Sequence, residues 1–246
     1  MKVLRNITVF GLMALLMVSA VEAKDKVANR SGGSSNYVDS SGTFDGNQIY
    51  ADVTNNGLFL DYHISGDSAM EWPKGTGVHS IFQSALWLGA TVNGETRVSI
   101  GDYTQDMGPG PWGGDPLSAV HRIYKIEKSM LASPGDFADF QDWPVDFGAP
   151  WVDVDGDGVY TPMPEGTDHP QFVGDQVLWF VSNDGDPAYK LNMGTSPLDV
   201  EVQTTVYAFD RPTKAPKYSD VIFIFAMTPT SDGLKHAFKE VVNKYG

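Results

Sequence analysis

Ala85-Leu86-Trp87-Leu88-Gly89-Ala90-Thr91-Val92-Asn93-Gly94-Glu95-Thr96-Arg97-Val98-Ser99-Ile100 decides the fold class. Two extended runs flank Asn-Gly, the preferred pair for a two-residue type I′ turn, in which both central residues need positive φ. A second such unit lies upstream, with Ile49 to Thr54 and Leu58 to Ile64 around Asn56-Gly57. Two hairpins so close together predict an antiparallel, all-β chain. By the period-two rule Phe82, Leu86 and Leu88 share one face, and Ile81, Ala85 and Trp87 the other. Both faces are apolar, which predicts a central or sandwiched strand.

The runs further along agree. Val120 to Lys128 reads as a strand, and Gln176 to Val181 is continuously apolar, as a buried strand is. Asp199 to Phe209 alternates, with Val200, Val202, Thr204, Val206 and Ala208 on one face, and Val221 to Met227 is again continuously apolar. An antiparallel β-sandwich, jelly-roll or immunoglobulin-like, with long loops accommodates them. Leu234 to Tyr245 switches to helical period, which predicts a short C-terminal helix capped by Ser231 or Asp232.

The chain has 246 residues, enough for a substantial core. Its formal net charge of -14 leaves no basic patch to neutralise phosphates, which argues against nucleic acid as a partner. Acidity of this degree suits solubility and cation binding. The absence of cysteine excludes disulfides and thiolate metal sites.

The first 23 residues have the form of a secretory signal peptide. Lys2 and Arg5 precede an apolar run from Val9 to Val18, and small residues offer cleavage after Ala20 or Ala23. The run is shorter than the roughly 20 residues that span a bilayer, so no membrane span is expected after cleavage. The expected location is extracellular or on the outer cell surface, with the periplasm as the other compartment on that route. Residues 24–44 read as a flexible leader, Gly/Ser-rich around Ser31 to Ser35, and 45–246 as a single β-rich domain.

One stretch carries specific chemistry: Asp153-Val154-Asp155-Gly156-Asp157-Gly158-Val159-Tyr160. Carboxylates at alternate positions followed by glycine resemble the first half of an EF-hand calcium loop, because calcium takes six to eight oxygen ligands from a turning backbone. Asp153, Asp155 and Asp157 would supply side-chain oxygens and Val159 its carbonyl. The twelfth position, where an EF-hand has a bidentate Glu, is Pro164; Glu165 and Asp168 are the nearby closers. Pro162 and Pro164 forbid a following helix. The expectation is a structural calcium loop in a run, 143–174, that has little predictable secondary structure. Asn183-Asp184-Gly185-Asp186 is a weaker echo, read as an Asx turn or a second site.

No nucleophile elbow, phosphate loop, dinucleotide fingerprint or His-Glu-x-x-His occurs, and His63, His79, His121, His169 and His236 lack ligand spacing. The reading therefore leans away from an enzyme. Trp72, Trp112 and Trp143 are candidates for exposed, sugar-stacking aromatics; for Trp112 the competing reading is a ring that pins its Gly/Pro loop.

Several phrases together resemble the amino-terminal region of large exported surface proteins of Bacteroidota-like bacteria, which often end in a type IX secretion sorting domain. They are Trp72 to Phe82, Ala85 to Ala90, Gly108-Pro109-Gly110-Pro111, Gly148-Ala149-Pro150-Trp151 with Asp153 to Gly158, Gly174-Asp175-Gln176, and Glu201 to Gln203 with Tyr207 to Arg211. The resemblance implies export, a β-rich extracellular module and a calcium loop at Asp153, Asp155 and Asp157. The sequence departs from that pattern by stopping at Gly246 without a sorting domain, which reads as a truncated product or a short secreted paralogue. Two functions compete: a non-enzymatic, calcium-stabilised surface module for adhesion or surface architecture, and a carbohydrate-binding or polysaccharide-degrading domain. The expected partners are calcium and, beyond it, glycans or other surface proteins.

Overall fold

The computed structural model describes residues 41–60, 70–101, 105–186, 194–210 and 219–230. The signal-like stretch, most of the expected leader and the expected helix over 234–245 lie outside them.

The first sheet begins with β1 (Ser41–Phe44), within the last residues read as leader. β1 pairs antiparallel with β2 (Tyr50–Thr54) along its whole length. On the other side of β2 lie β3 (Leu58–Phe59) and β4 (Met70–Glu71), which pair with successive parts of it and so share one lane. β5 (His79–Ile81) pairs with β4, and β6 (Ser84–Ala85) with β3, so these two share the next lane. That lane runs on as β7 (Trp87–Val92), which folds back into β8 (Glu95–Ile100). β8 ends against the start of β3: Leu86 N–H donates to Gly57 O, and Gly101 N–H to Leu86 O. A Cβ at Gly101 would sit 2.9 Å from Gly57 O, so the junction requires glycine.

The two Asn-Gly turns differ. Asn93 and Gly94 both have positive φ (54° and 82°), as a type I′ turn requires. At the first hairpin Gly57 has positive φ and Asn56 does not, and Val53 faces Phe59. This is a three-residue connection with glycine in the left-handed position. The Asn56 side chain accepts the Thr54 hydroxyl proton instead of letting its own backbone turn over.

The lane from β5 to β7 is not central. Among the described residues no strand pairs with its far edge. Leu86, Leu88 and Ala90 point inward and pack with Val92, Met107, Leu198, Val200 and Val202. Val78, Ile81, Phe82 and Trp87 are exposed, Trp87 by 66%. Apolar residues on both faces signalled burial on both, but among the described residues only one face has anything across from it.

The second sheet carries the core. β9 (Gly108–Pro109) and β10 (Tyr124–Glu127) both pair with β13 (Gln176–Asn183). Between β10 and β13 lie helix α1 (Ala138–Gln141) and the two-stranded pair β11 (Trp151–Val152) and β12 (His169–Pro170). β13 pairs with β14 (Val200–Asp210), and β14 with β15 (Ser219–Pro229). Every residue of β13 is buried, and two different layers account for that. Leu178 and Phe180, with Val206 and Ala208, meet Phe44, Ala51, Val53 and Phe59 of the first sheet. Val177, Trp179 and Val181, with Tyr207, meet Trp143, Ala149 and neighbours from the irregular segment after β10. The fold is thus an antiparallel all-β sandwich with a third, irregular layer on the outer face of its second sheet. Gln203 Nε2 donates to Phe147 O (3.0 Å) and fastens that layer to β14.

A buried amide joins the two sheets. Gln176 Oε1 accepts the N–H groups of Asp45 (3.0 Å) and Gly46 (3.1 Å), and its Nε2 donates to Asp45 Oδ1 and Glu127 Oε1 (2.9 Å each). Lys125 Nζ completes the group at 2.7 Å from Asp45 Oδ1.

Candidate metal centre

β11 and β12 form the neck of the aspartate loop, with Trp151 opposite Pro170 and Val152 opposite His169. The loop between them is held by the irregular layer. Trp151 meets Tyr160 edge-on (5.4 Å between centroids), and the Tyr160 hydroxyl donates to Phe140 O at 2.7 Å. Burial, followed by the charge of Asp168, pushes the Tyr160 pKa far up, so it remains a neutral donor.

Within the loop each carboxylate curls the backbone around itself. Asp153 accepts the N–H groups of Gly156 (2.7 Å) and Gly158 (2.9 Å). Asp155 accepts from Asp157 (3.2 Å), and Asp157 from Val159 (2.7 Å). Gly156 and Gly158 both have φ of 78°, with nothing within 4 Å of a notional Cβ. They are glycines because the backbone there is left-handed, not because space is short.

Asp168 has a different role. It is fully buried (0% exposed), whereas the other three aspartates are exposed. Its Oδ1 accepts Val154 N–H at 2.9 Å and its Oδ2 accepts Thr161 N–H at 2.8 Å, so one carboxylate clamps both ends of the turn. Carboxylate oxygens of Asp153, Asp155, Asp157 and Asp168 lie within 4.8 Å of one another. Asp155 registers the crowding. The Asp157 N–H pulls its pKa down, yet desolvation and the charges of Asp157, Asp168 and Asp153 outweigh that and leave it raised.

Four of the expected metal residues therefore converge. Glu165 is outside the group; Gly166 N–H bonds back to Pro162 O, and this turn of its own carries Glu165 on the surface. Val159 is exposed, with its N–H given to Asp157. Each carboxylate oxygen can accept more than one bond, so the amide contacts leave capacity for a cation. A set made only of carboxylates suits a hard cation such as calcium, magnesium or manganese.

The second acidic turn is built otherwise. Asp184 is buried and accepts the N–H groups of Leu198 (2.8 Å) and Val200 (2.9 Å), while Asn183 Oδ1 accepts Gly185 N–H (3.0 Å). It is an Asx turn that clamps the approach to β14. Of the aromatic candidates, Trp143 is 3% exposed and donates Nε1–H to Pro150 O, which removes it as a binding surface. Trp72 and Trp112 remain exposed.

Among the described residues no helix is long and apolar enough to cross a membrane. Compared with known proteins, the chain matches no family model, no curated protein and no solved structure.

Proposed function

We propose that the chain is a non-enzymatic, exported β module whose irregular layer is held in place by calcium, used in adhesion or surface architecture. The observation that carries the reading is the gathering of Asp153, Asp155, Asp157 and Asp168 within 4.8 Å on a loop that packs against the second sheet. Like charges so close oppose folding unless a cation sits among them. The signal-like amino terminus supports export, and calcium outside cells suits the weak affinity of extracellular loops, with Kd of roughly 10⁻⁴–10⁻³ M.

Thermal unfolding tests this. At about 10 mM calcium, such a Kd stabilises by about 1.4–2.7 kcal/mol, which raises Tm by roughly 3–10 °C for a domain of this size. EDTA reverses the shift. Asp155→Ala removes most of it, and in EDTA the variant is no less stable than the parent, because a repelling charge has gone. A calcium-independent Tm rejects the reading.

The same measurement has a pH signature. The raised Asp155 pKa means that the folded loop takes up a proton more readily than the unfolded chain. Its contribution favours folding below the ordinary carboxylate range and is lost as pH rises through the folded value. Protons and calcium compete for the same oxygens. The calcium shift should therefore be full at neutral pH and fade as pH falls to about 4. In EDTA the loop's own contribution changes in the opposite direction.

A further inference from the structure

Trp112 lies in a loop that holds it rigidly and leaves it in solvent. The loop leaves the second sheet through β9, and Gly110 (φ 95°) donates its N–H to Val181 O at 3.0 Å. Asn183 Nδ2 donates to Gly110 O (2.9 Å) and Pro111 O (3.2 Å), Gly114 N–H closes the turn onto Pro111 O (2.9 Å), and Trp112 N–H bonds Glu201 Oε2 (3.0 Å). The Nε1–Cδ1 side of the indole lies against Gly185, where a Cβ would come within 2.3 Å of Nε1.

Pinning alone would bury the ring, as the fold does with Trp143 and Trp179. Trp112 is instead 49% exposed. It borders a hollow of about 200 Å³ lined by Gly113, Gly114, Pro116, Asn183, Gly185 and Asp186. That is smaller than the roughly 300–1,000 Å³ pockets that engulf a whole ligand. It suits a single ring resting on a platform.

The lining combines Trp112 and Pro116 with more polar residues, Asn183 and Asp186, and with Gly113, where nothing lies within 4 Å of a notional Cβ. A sugar ring has both matching surfaces: an apolar C–H face and a rim of hydroxyl donors and acceptors. An organic cation would use the indole and the carboxylate alone. We propose that this hollow is a subsite for one pyranose ring of a neutral glycan, stacked on Trp112 with hydroxyls bonded to Asp186 and the Gly113 peptide. A rigid aromatic platform loses little entropy on binding, which is how a shallow site can retain a ligand.

The test starts from the full chain on a glycan array and titrates xylohexaose, cellohexaose and mannohexaose by calorimetry, with choline and arginine as cationic probes. Trp112→Ala should weaken binding about ten-fold or more. Trp112→Tyr should keep much of it, Asp186→Asn should weaken it, and Trp87→Ala, on the other sheet, should leave it unchanged. Should Trp112→Ala lower the Tm, Trp112→Tyr and Asp186→Asn still decide. The proposal is overturned if no glycan binds at millimolar concentration or if bound glycans ignore Trp112. It is also overturned if only the cations bind and added salt weakens them. The hollow shares no residue with the aspartate loop, so glycan binding should persist in EDTA, and either reading can fail without the other.

Discussion

Asp168→Ala is expected to destabilise the protein by about 2–4 kcal/mol and to abolish the calcium response. The carboxylate is completely buried and accepts the N–H groups of Val154 and Thr161, one at each end of the aspartate turn. Removing it takes the acceptor from both donors and deletes the one buried carboxylate of the four that converge. The fall in Tm should be roughly 5–15 °C in EDTA, before any metal is considered. Asp155→Ala supplies the contrast, since it loses the calcium shift with no penalty in EDTA. If Asp168→Ala melts at the parental temperature in EDTA, the clamp does not contribute and the loop is held by its other contacts, those of Trp151 and Tyr160 among them.

The second large effect is expected at Gln176, where leucine should cost about 3 kcal/mol with an unchanged denaturant m-value. Leucine fills nearly the same volume, so little cavity cost enters. The loss is in hydrogen bonding: the N–H groups of Asp45 and Gly46 lose their acceptor, and Asp45 and Glu127 lose a donor. A partly satisfied polar network is worse than none. A change below about 0.5 kcal/mol would mean that water replaces the amide without penalty. The same variant should move the acid limb of the stability curve. Burial alone would raise the Asp45 pKa, but hydrogen bonds from Lys125 and Gln176 and the charges of Lys125 and Lys74 bring it below the ordinary aspartate value. A lowered carboxylate contributes stability above its unfolded pKa and loses it as pH falls through the folded one. Without Gln176 that loss should begin at higher pH.

What could be read from the residues followed local rules. The Asn93-Gly94 turn and the buried run of β13 depend on neighbours in sequence and came out as expected; in β14 the expected face, Val200, Val202, Thr204, Val206 and Ala208, is buried, but Thr205 and Tyr207 between them are buried as well. The aspartate loop was legible because alternate carboxylates and glycines act through their own backbone. Three features depended on distant partners and were not legible. The exposed face of the β5–β7 lane reads as buried from its own residues, because what lies across from it is set by distant parts of the chain. Trp143 could not be separated from Trp112, since both sit among prolines or glycines; one finds Tyr124 and the second sheet, while the other rests against Gly185 and stays half exposed. Gln176 gave no signal, because its partners Asp45 and Glu127 lie 131 and 49 residues away.

The outer edge of the β5–β7 lane, with which no described strand pairs, bears on how the protein behaves in concentrated solution. From Val78 to Asn93 it carries no Asp, Glu, Lys or Arg, while the whole chain carries -14. Mutual repulsion between molecules, rather than any guard on the edge itself, keeps such surfaces apart. That repulsion reaches about 10 Å at 0.1 M salt and about 3 Å at 1 M. Turbidity at fixed protein concentration should therefore rise with ionic strength, the reverse of ordinary salting-in, and Trp87→Lys, which places a charge on the edge, should suppress it.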